Sequence, residues 1–232
     1  MARSDEQRRA TAYHEAGHAV AAFWNGNPIR RRGIVLHNDY EGMTDTCGML
    51  LAHESFVRGQ TREWRRRYED RVARACVEYL AGPIAEMLFR RKSLTGRLMC
   101  RLDGPDAYMG DDIGTVHVLV GGLCLSGDLN RVNSFQLRLQ ARTQKLLRHP
   151  RAWAAVGEIA ELLDARGRVT GTQAHEIMCR AGVPVYRRRA DDSVRDNTRL
   201  PSSGITKNCD QPKNKTKNNG HVQDSRRTAR RA

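Results

Sequence analysis

The sequence contains no Cys-x-x-Cys pair. Its six cysteines stand apart at positions 47, 76, 100, 124, 179 and 209, which excludes the paired-thiolate spacing of a zinc ribbon or a thioredoxin-like redox site. Four of them, Cys76, Cys100, Cys124 and Cys179, lie beside apolar residues and read as small core residues of a reduced, intracellular protein. Aromatic residues are scarce, at 6%. They do not interleave with the basic runs 30–32, 65–67 and 90–92, so these runs read as solvated surface, not as a base-stacking platform. Long apolar runs are also missing. The most apolar stretch, Ile113 to Leu125, is too short and too glycine-rich for a bilayer, which needs about 20 residues. The first twenty residues are charged, so no secretory signal is expected. No Gly-x-x-x-x-Gly-Lys-Ser/Thr phosphate loop occurs, and no internal repeat is visible. A soluble, cytoplasmic protein with no membrane span is the expectation.

What the chain does carry is positive charge, unevenly spread. Its 232 residues have a formal net charge of +14. Residues 187–232 hold 13 Lys and Arg against 5 Asp and Glu, which is +8 of that total. This stretch has almost no large apolar side chains and cannot bury enough surface to offset its ordering entropy. A basic disordered tail is expected over 187–232, behind one folded domain over 1–186. Such a tail suits nucleic acid or another polyanion.

Periodicity predicts a mainly α domain with a small antiparallel β-sheet. Ser4 and Gln7 form a capping box that opens a helix. Ala12, Ala16, Ala19, Val20 and Phe23 give it a buried stripe, and Asn25-Gly26 ends it near Trp24. Two short apolar runs, 33–37 and 48–52, read as strands separated by turn-forming residues from Asn38 to Thr46. A helix from about Thr61 follows, which Pro83 is expected to kink or end, with a shorter apolar turn to Phe89. A loop over 93–110 leads to a helix from Asp112 to about Leu125. Three more helices are expected over 129–148, from Pro150 to Gly167, and from Thr170 to Gly182.

One motif carries chemistry. His14-Glu15-Ala16-Gly17-His18 sets two histidines four residues apart, one turn above each other on a helix. Their imidazoles can converge on one zinc ion at about 2.0–2.1 Å each. Glu15 then lies near the open side of the metal, where it can take a proton from water and return it to a leaving amine. Two imidazoles and a carboxylate leave one water position, a common catalytic zinc arrangement, so one Zn2+ per chain is expected. The third ligand is open at this point. A metzincin would need Gly at 21 and His at 24, where the sequence has Ala21 and Trp24.

The segment Thr11-Ala-Tyr-His-Glu-Ala-Gly-His-Ala-Val20 resembles the peptidase motif of the FtsH-type AAA proteases. Leu80-Ala-Gly-Pro-Ile-Ala-Glu-Met-Leu-Phe89 is similar to that family's glycine-rich stretch ending in Ala-Glu. Gly110-Asp-Asp-Ile-Gly-Thr115 resembles the segment that supplies its aspartate ligand, and Leu146 to Met178 its closing helices. The resemblance implies an FtsH-type, peptidase-domain-like helical zinc protease. It implies that His14, His18 and Asp112 hold the metal, Asp112 being the carboxylate that immediately precedes Ile113. It also implies hydrolysis of unfolded or flexible polypeptides. The chain departs from the family in lacking its membrane anchor and ATPase, in Pro83 and in the length of the 93–110 loop. An ATP-independent metalloendopeptidase is therefore expected, with Glu15 as general base and acid. Its expected partners are polypeptide substrates, and a separate unfoldase or further copies of itself. The alternative is a catalytically weak peptidase-fold protein that binds polyanions through its tail.

The remaining histidines carry weaker signals. His117 lies five residues beyond Asp112 and reads as a partly buried or supporting histidine. His175-Glu176 is followed by Cys179 where a second histidine would be needed, and reads as an exposed helix pair. His37 and His53 flank strands without a partner signal.

Overall fold

The computed structural model describes residues 2–46, 60–91, 112–123 and 129–185. The chain divides into two units, Met1–Arg187 and Arg188–Ala232, and the second lies outside the described residues. The first is mainly helical with one three-stranded antiparallel sheet.

Helix α1 spans Ala2–Trp24. It starts before the expected Ser4 cap, because Ala2 and Arg3 are good helix formers and extend the first turn. It stops where expected. Gly26 adopts φ 76°, and its N–H and those of Asn25 and Asn27 donate to the carbonyls of Phe23, Ala21 and Ala22. This is a left-handed exit that glycine makes without steric cost.

Strand β1 spans Ile29–Leu36 and β2 spans Gly42–Thr46. The sheet order is β2-β1-β3, with both pairings antiparallel. The position of β2 corrects the sequence reading, which placed 38–46 in a turn and the second strand at 48–52. Segment 48–52 lies outside the described residues. The turn itself is much tighter than expected. Asn38 Oδ1 accepts from the N–H groups of Tyr40 and Glu41, and the His37 N–H donates to the Glu41 carbonyl. Asn38 thus closes the hairpin with its own side chain, and the returning strand begins directly after Glu41. Strand β3, Arg168–Val169, was not anticipated, being too short to show a period. Gly33 (φ 74°) sits against Thr170 and Val169. It occupies the register irregularity between Ile29 and Ile34, where a left-handed residue bends the strand.

Helix α2 spans Arg62–Phe89 and is capped by Thr61, whose side chain accepts from the Trp64 N–H at 3.2 Å. Pro83 was expected to kink or end it, and the helix does not end there. Proline inside a helix costs about 3 kcal/mol. Here Leu80, Ala81, Ile84 and Ala85 on both sides of it are fully buried, and each large apolar side chain returns about 1.5–3 kcal/mol. Packing outweighs the defect. Helix α3 spans Asp112–Leu123, α4 Leu129–Leu147, α5 Pro150–Arg166 and α6 Gly171–Ala181. Pro150 opens α5, and Gly167 (φ 69°) closes it. Thr170 and Gln173 form a full capping box on α6.

Helix α1 packs on α2 and α5, with the sheet along its flank. Ala12, Ala16 and Ala19 of α1 are fully buried in the core. Gly17 marks the closest approach. A Cβ there would stand 2.5 Å from the Ala81 carbonyl oxygen and 2.7 Å from the Ala85 Cβ. No helix among the described residues is long and apolar enough to cross a membrane.

Candidate metal centre

His14 and His18 share one face of α1, with ring centroids 4.8 Å apart. Asp112, the first residue of α3, reaches both. Its Oδ2 lies 2.9 Å from His14 Nε2 and 3.0 Å from His18 Nε2. Among the described residues this is the group of three side chains placed to hold a metal ion.

The second nitrogen of each ring is also engaged. His18 Nδ1 lies 2.7 Å from the Glu78 carbonyl oxygen. His14 Nδ1 faces Glu86 Oε2 at a longer 3.4 Å, and the other oxygen of Glu86 accepts from Arg90 Nε at 2.9 Å. A carbonyl can only accept, so the His18 Nδ1 must carry its hydrogen. The neutral ring then turns a bare Nε2 lone pair toward a carboxylate oxygen 3.0 Å away. His14 meets the same conflict between two carboxylates. Only positive charge between the Nε2 atoms and Asp112 relieves it, as protons on the rings or as a metal cation.

The pKa shifts carry the same message. Burial alone would lower the His14 pKa, but hydrogen bonds to Asp112 and Glu86 and the charges of Asp112 and Glu15 raise it from 6.5 to about 10. Burial likewise opposes the charged form of His18, and Asp112 raises its pKa. Asp112 would be raised by burial, yet the two histidines hold it well below the usual carboxylate range. The donor set fits zinc. Around a tetrahedral ion at about 2.0–2.1 Å, ligand atoms stand roughly 3.3 Å apart, so the Asp112 oxygen, at 2.9 and 3.0 Å from the two Nε2 atoms, needs to draw back by only a few tenths of an ångström.

Helix α2 forms the wall of this site. Gly82 faces the rings, and a Cβ there would meet His14 Nε2 at 2.6 Å and His18 Nε2 closer still. Glu15 is buried on the side facing β2. The Thr44 hydroxyl donates to its Oε2 at 2.7 Å. Gly42 lies so close that a Cβ would stand 2.5 Å from Glu15 Cγ.

The four residues singled out from the sequence therefore lie together: His14, His18 and Asp112 in one cluster, and Glu15 one residue beyond the first ligand on α1. The other histidines stay apart. His117 Nδ1 pairs with Gln136 Nε2 of α4 at 3.0 Å. His175 packs edge-on against Phe23 and lies 3.4 Å from the Cys179 sulfur. His37 is exposed in the hairpin, and His53 lies outside the described residues. Burial pushes the Cys76 thiol up to about 12, in keeping with a core role. Sequence reasoning missed the functions of Gly82, Glu86, Gly42 and Thr44. The first two lie in the stretch marked by resemblance, three to seven residues beyond Tyr79, and share the α2 face toward α1. Strand β2 carried no usable signal. No protein-family model matches the chain, and no curated protein matches it.

Proposed function

We propose that this chain is a zinc metalloendopeptidase, similar in its peptidase unit to the FtsH-type proteases, that hydrolyses flexible or unfolded polypeptides. The reading rests on one observation above the others: both histidines and Asp112 turn acceptor atoms toward a common point that requires positive charge. His14, His18 and Asp112 would hold one Zn2+, and Asp112 would reduce the net charge of the site to +1. When bound, the zinc ion supplies Lewis acidity toward the peptide carbonyl and acidifies a water molecule.

The chain's own residues do the rest. Glu15 takes the proton from the attacking water as the new C–O bond forms. It then passes that proton to the departing amine as the C–N bond breaks. Glu78 and Glu86 fix the ring orientations from behind. An extended substrate segment adds its backbone to the edge strand β2, which borders Glu15 through Gly42 and Thr44. We read cleavage by these residues as ATP-independent and limited to segments that reach the site unfolded. A partner unfoldase or self-assembly would widen that range. A cytoplasmic setting suits the free thiols of Cys76 and Cys179.

Metal analysis of the purified protein, paired with cleavage of a casein-type substrate, tests the proposal. Wild type should retain one zinc per chain and cleave. Glu15→Gln should keep the zinc and lose at least ~100-fold in rate, the lower end for general acid–base catalysis. Wild-type rates in Glu15→Gln would sink the mechanism.

A further inference from the structure

We infer that Thr44, on strand β2, is a positioning residue that fixes the orientation of the Glu15 carboxylate. The inference rests on the peptidase reading above and concerns the base, not the metal.

Thr44 Oγ1 lies 2.7 Å from Glu15 Oε2 and 3.0 Å from the Glu15 backbone carbonyl. A hydroxyl has a single hydrogen to donate. The shorter contact to a carboxylate takes it, because charge-assisted hydrogen bonds are the stronger ones. Thr44 thereby holds Oε2, and with it the plane of the whole Glu15 carboxylate, in one orientation. The backbone carbonyl, at its longer distance, belongs to the helical ladder of α1.

Gly42 completes the clamp from the same strand. A Cβ on it would stand 2.5 Å from Glu15 Cγ and 2.9 Å from Oε1. Glu15 therefore has almost no freedom to swing toward β2, and its exposure is only 6%. Two residues spaced i, i+2 share one face of a strand, so Gly42 and Thr44 meet the base together. Glu15 is held by the strand that, among the described residues, lies at the edge of the sheet and would receive the substrate backbone. Any shift of β2 on substrate binding moves Thr44 and, through it, the base.

The test is Thr44→Val, which keeps shape and strand propensity and removes only the hydroxyl, with Thr44→Ser as rescue. Thr44→Val should lower kcat by roughly 10–100-fold, the scale of a misplaced catalytic group. KM should change less than about twofold, and zinc content not at all. Thr44→Ser should restore most of kcat. A second readout needs no turnover. In a double-mutant cycle on unfolding, Thr44→Val and Glu15→Ala should couple by about tenfold or more in the equilibrium constant, as for a hydrogen bond to a charged group. If wild type cleaves and Thr44→Val matches it, or the cycle shows no coupling, this inference fails while the proposed function stands. If wild type cleaves nothing, the proposed function fails and the positioning role of Thr44 in catalysis falls with it.

Discussion

Gly82 of α2 lies against His14 of α1 so closely that a Cβ on it would stand 2.6 Å from the ring Nε2. The imidazole that turns toward Asp112 occupies the volume where any other residue would place its side chain. Gly82→Ala sets two effects against each other. Alanine gains about 1 kcal/mol of helix propensity over glycine, while overpacking a full site costs about 1–3 kcal/mol. The clash wins, because Ile84, Ala81 and Ala85 around it are fully buried and α2 cannot retreat. Gly82→Ala should lower zinc affinity by at least ~10-fold and should not stabilise the metal-free fold. Chelator competition and denaturant unfolding check both halves. Unchanged zinc affinity would show that the rings stand elsewhere.

Asp112 and Asp111 are neighbours at the start of α3, and an aspartate there could serve merely as a cap. Asp112 contacts both Nε2 atoms, while Asp111 lies outside the described residues. Asp112→Ala should therefore lose zinc and peptidase activity together. Asp111→Ala should keep most of both. The reverse outcome would put the ligand register off by one, and retention of zinc by both variants would move the third ligand away from this pair.

The site was legible in the sequence where local spacing decides it. Histidines at i and i+4 must share a helical face, so His14 and His18 needed no tertiary information. Asp112 is different. It reaches the site only because α3 packs on α2 and brings its first residue to His18, 94 residues away, and no local period encodes that return; similarity to a known pattern suggested it. Helix ends with dedicated caps, such as Pro150, Gly167, Thr170 and Gly182, were readable for the same local reason. Strand β2 was not, because Gly42 to Thr46 has no alternation of apolar and polar residues. Its place comes from the Asn38 turn and from Thr44 meeting Glu15. Pro83 misled for the opposite reason: its local penalty is real, but the buried residues around it outweigh that penalty.

The basic segment beyond Tyr186 is expected to be separable from the zinc site. Truncation there should change unfolding stability by less than about 0.5 kcal/mol, the scale of surface changes, and leave zinc content intact. If the segment's +8 charge recruits polyanions, truncation should also weaken retention on DNA or heparin and flatten its salt dependence. A large fall in melting temperature would place this segment against the folded unit. Retention unchanged by truncation would assign polyanion binding to residues 1–186.

Metal removal should expose an alkaline loss of stability that the metal-loaded protein lacks. In the metal-free protein the His14 pKa stands at about 10, against 6.5 in the unfolded chain. A raised value means that the folded state holds the proton more tightly. The stability this contributes is fully present below about pH 6.5 and is lost as the pH rises toward 10. Asp112 works from the other side. Its pKa is lowered from 3.8, so its contribution is present above that value and is lost as the pH falls below it. The metal-free fold should therefore draw most from this cluster between about pH 3.8 and 6.5. It should weaken steadily above that window. Zinc replaces the ring protons, so the loaded protein should not show the alkaline loss, and loading near neutrality should release protons. Denaturant unfolding of both forms across this range, with proton release read by calorimetry in buffers of different ionisation enthalpy, checks the argument. Asp112→Asn should abolish most of the alkaline slope in the metal-free form. A metal-free wild type whose stability is flat from pH 6.5 to 10 would show that His14 is not held protonated by Asp112 and Glu86.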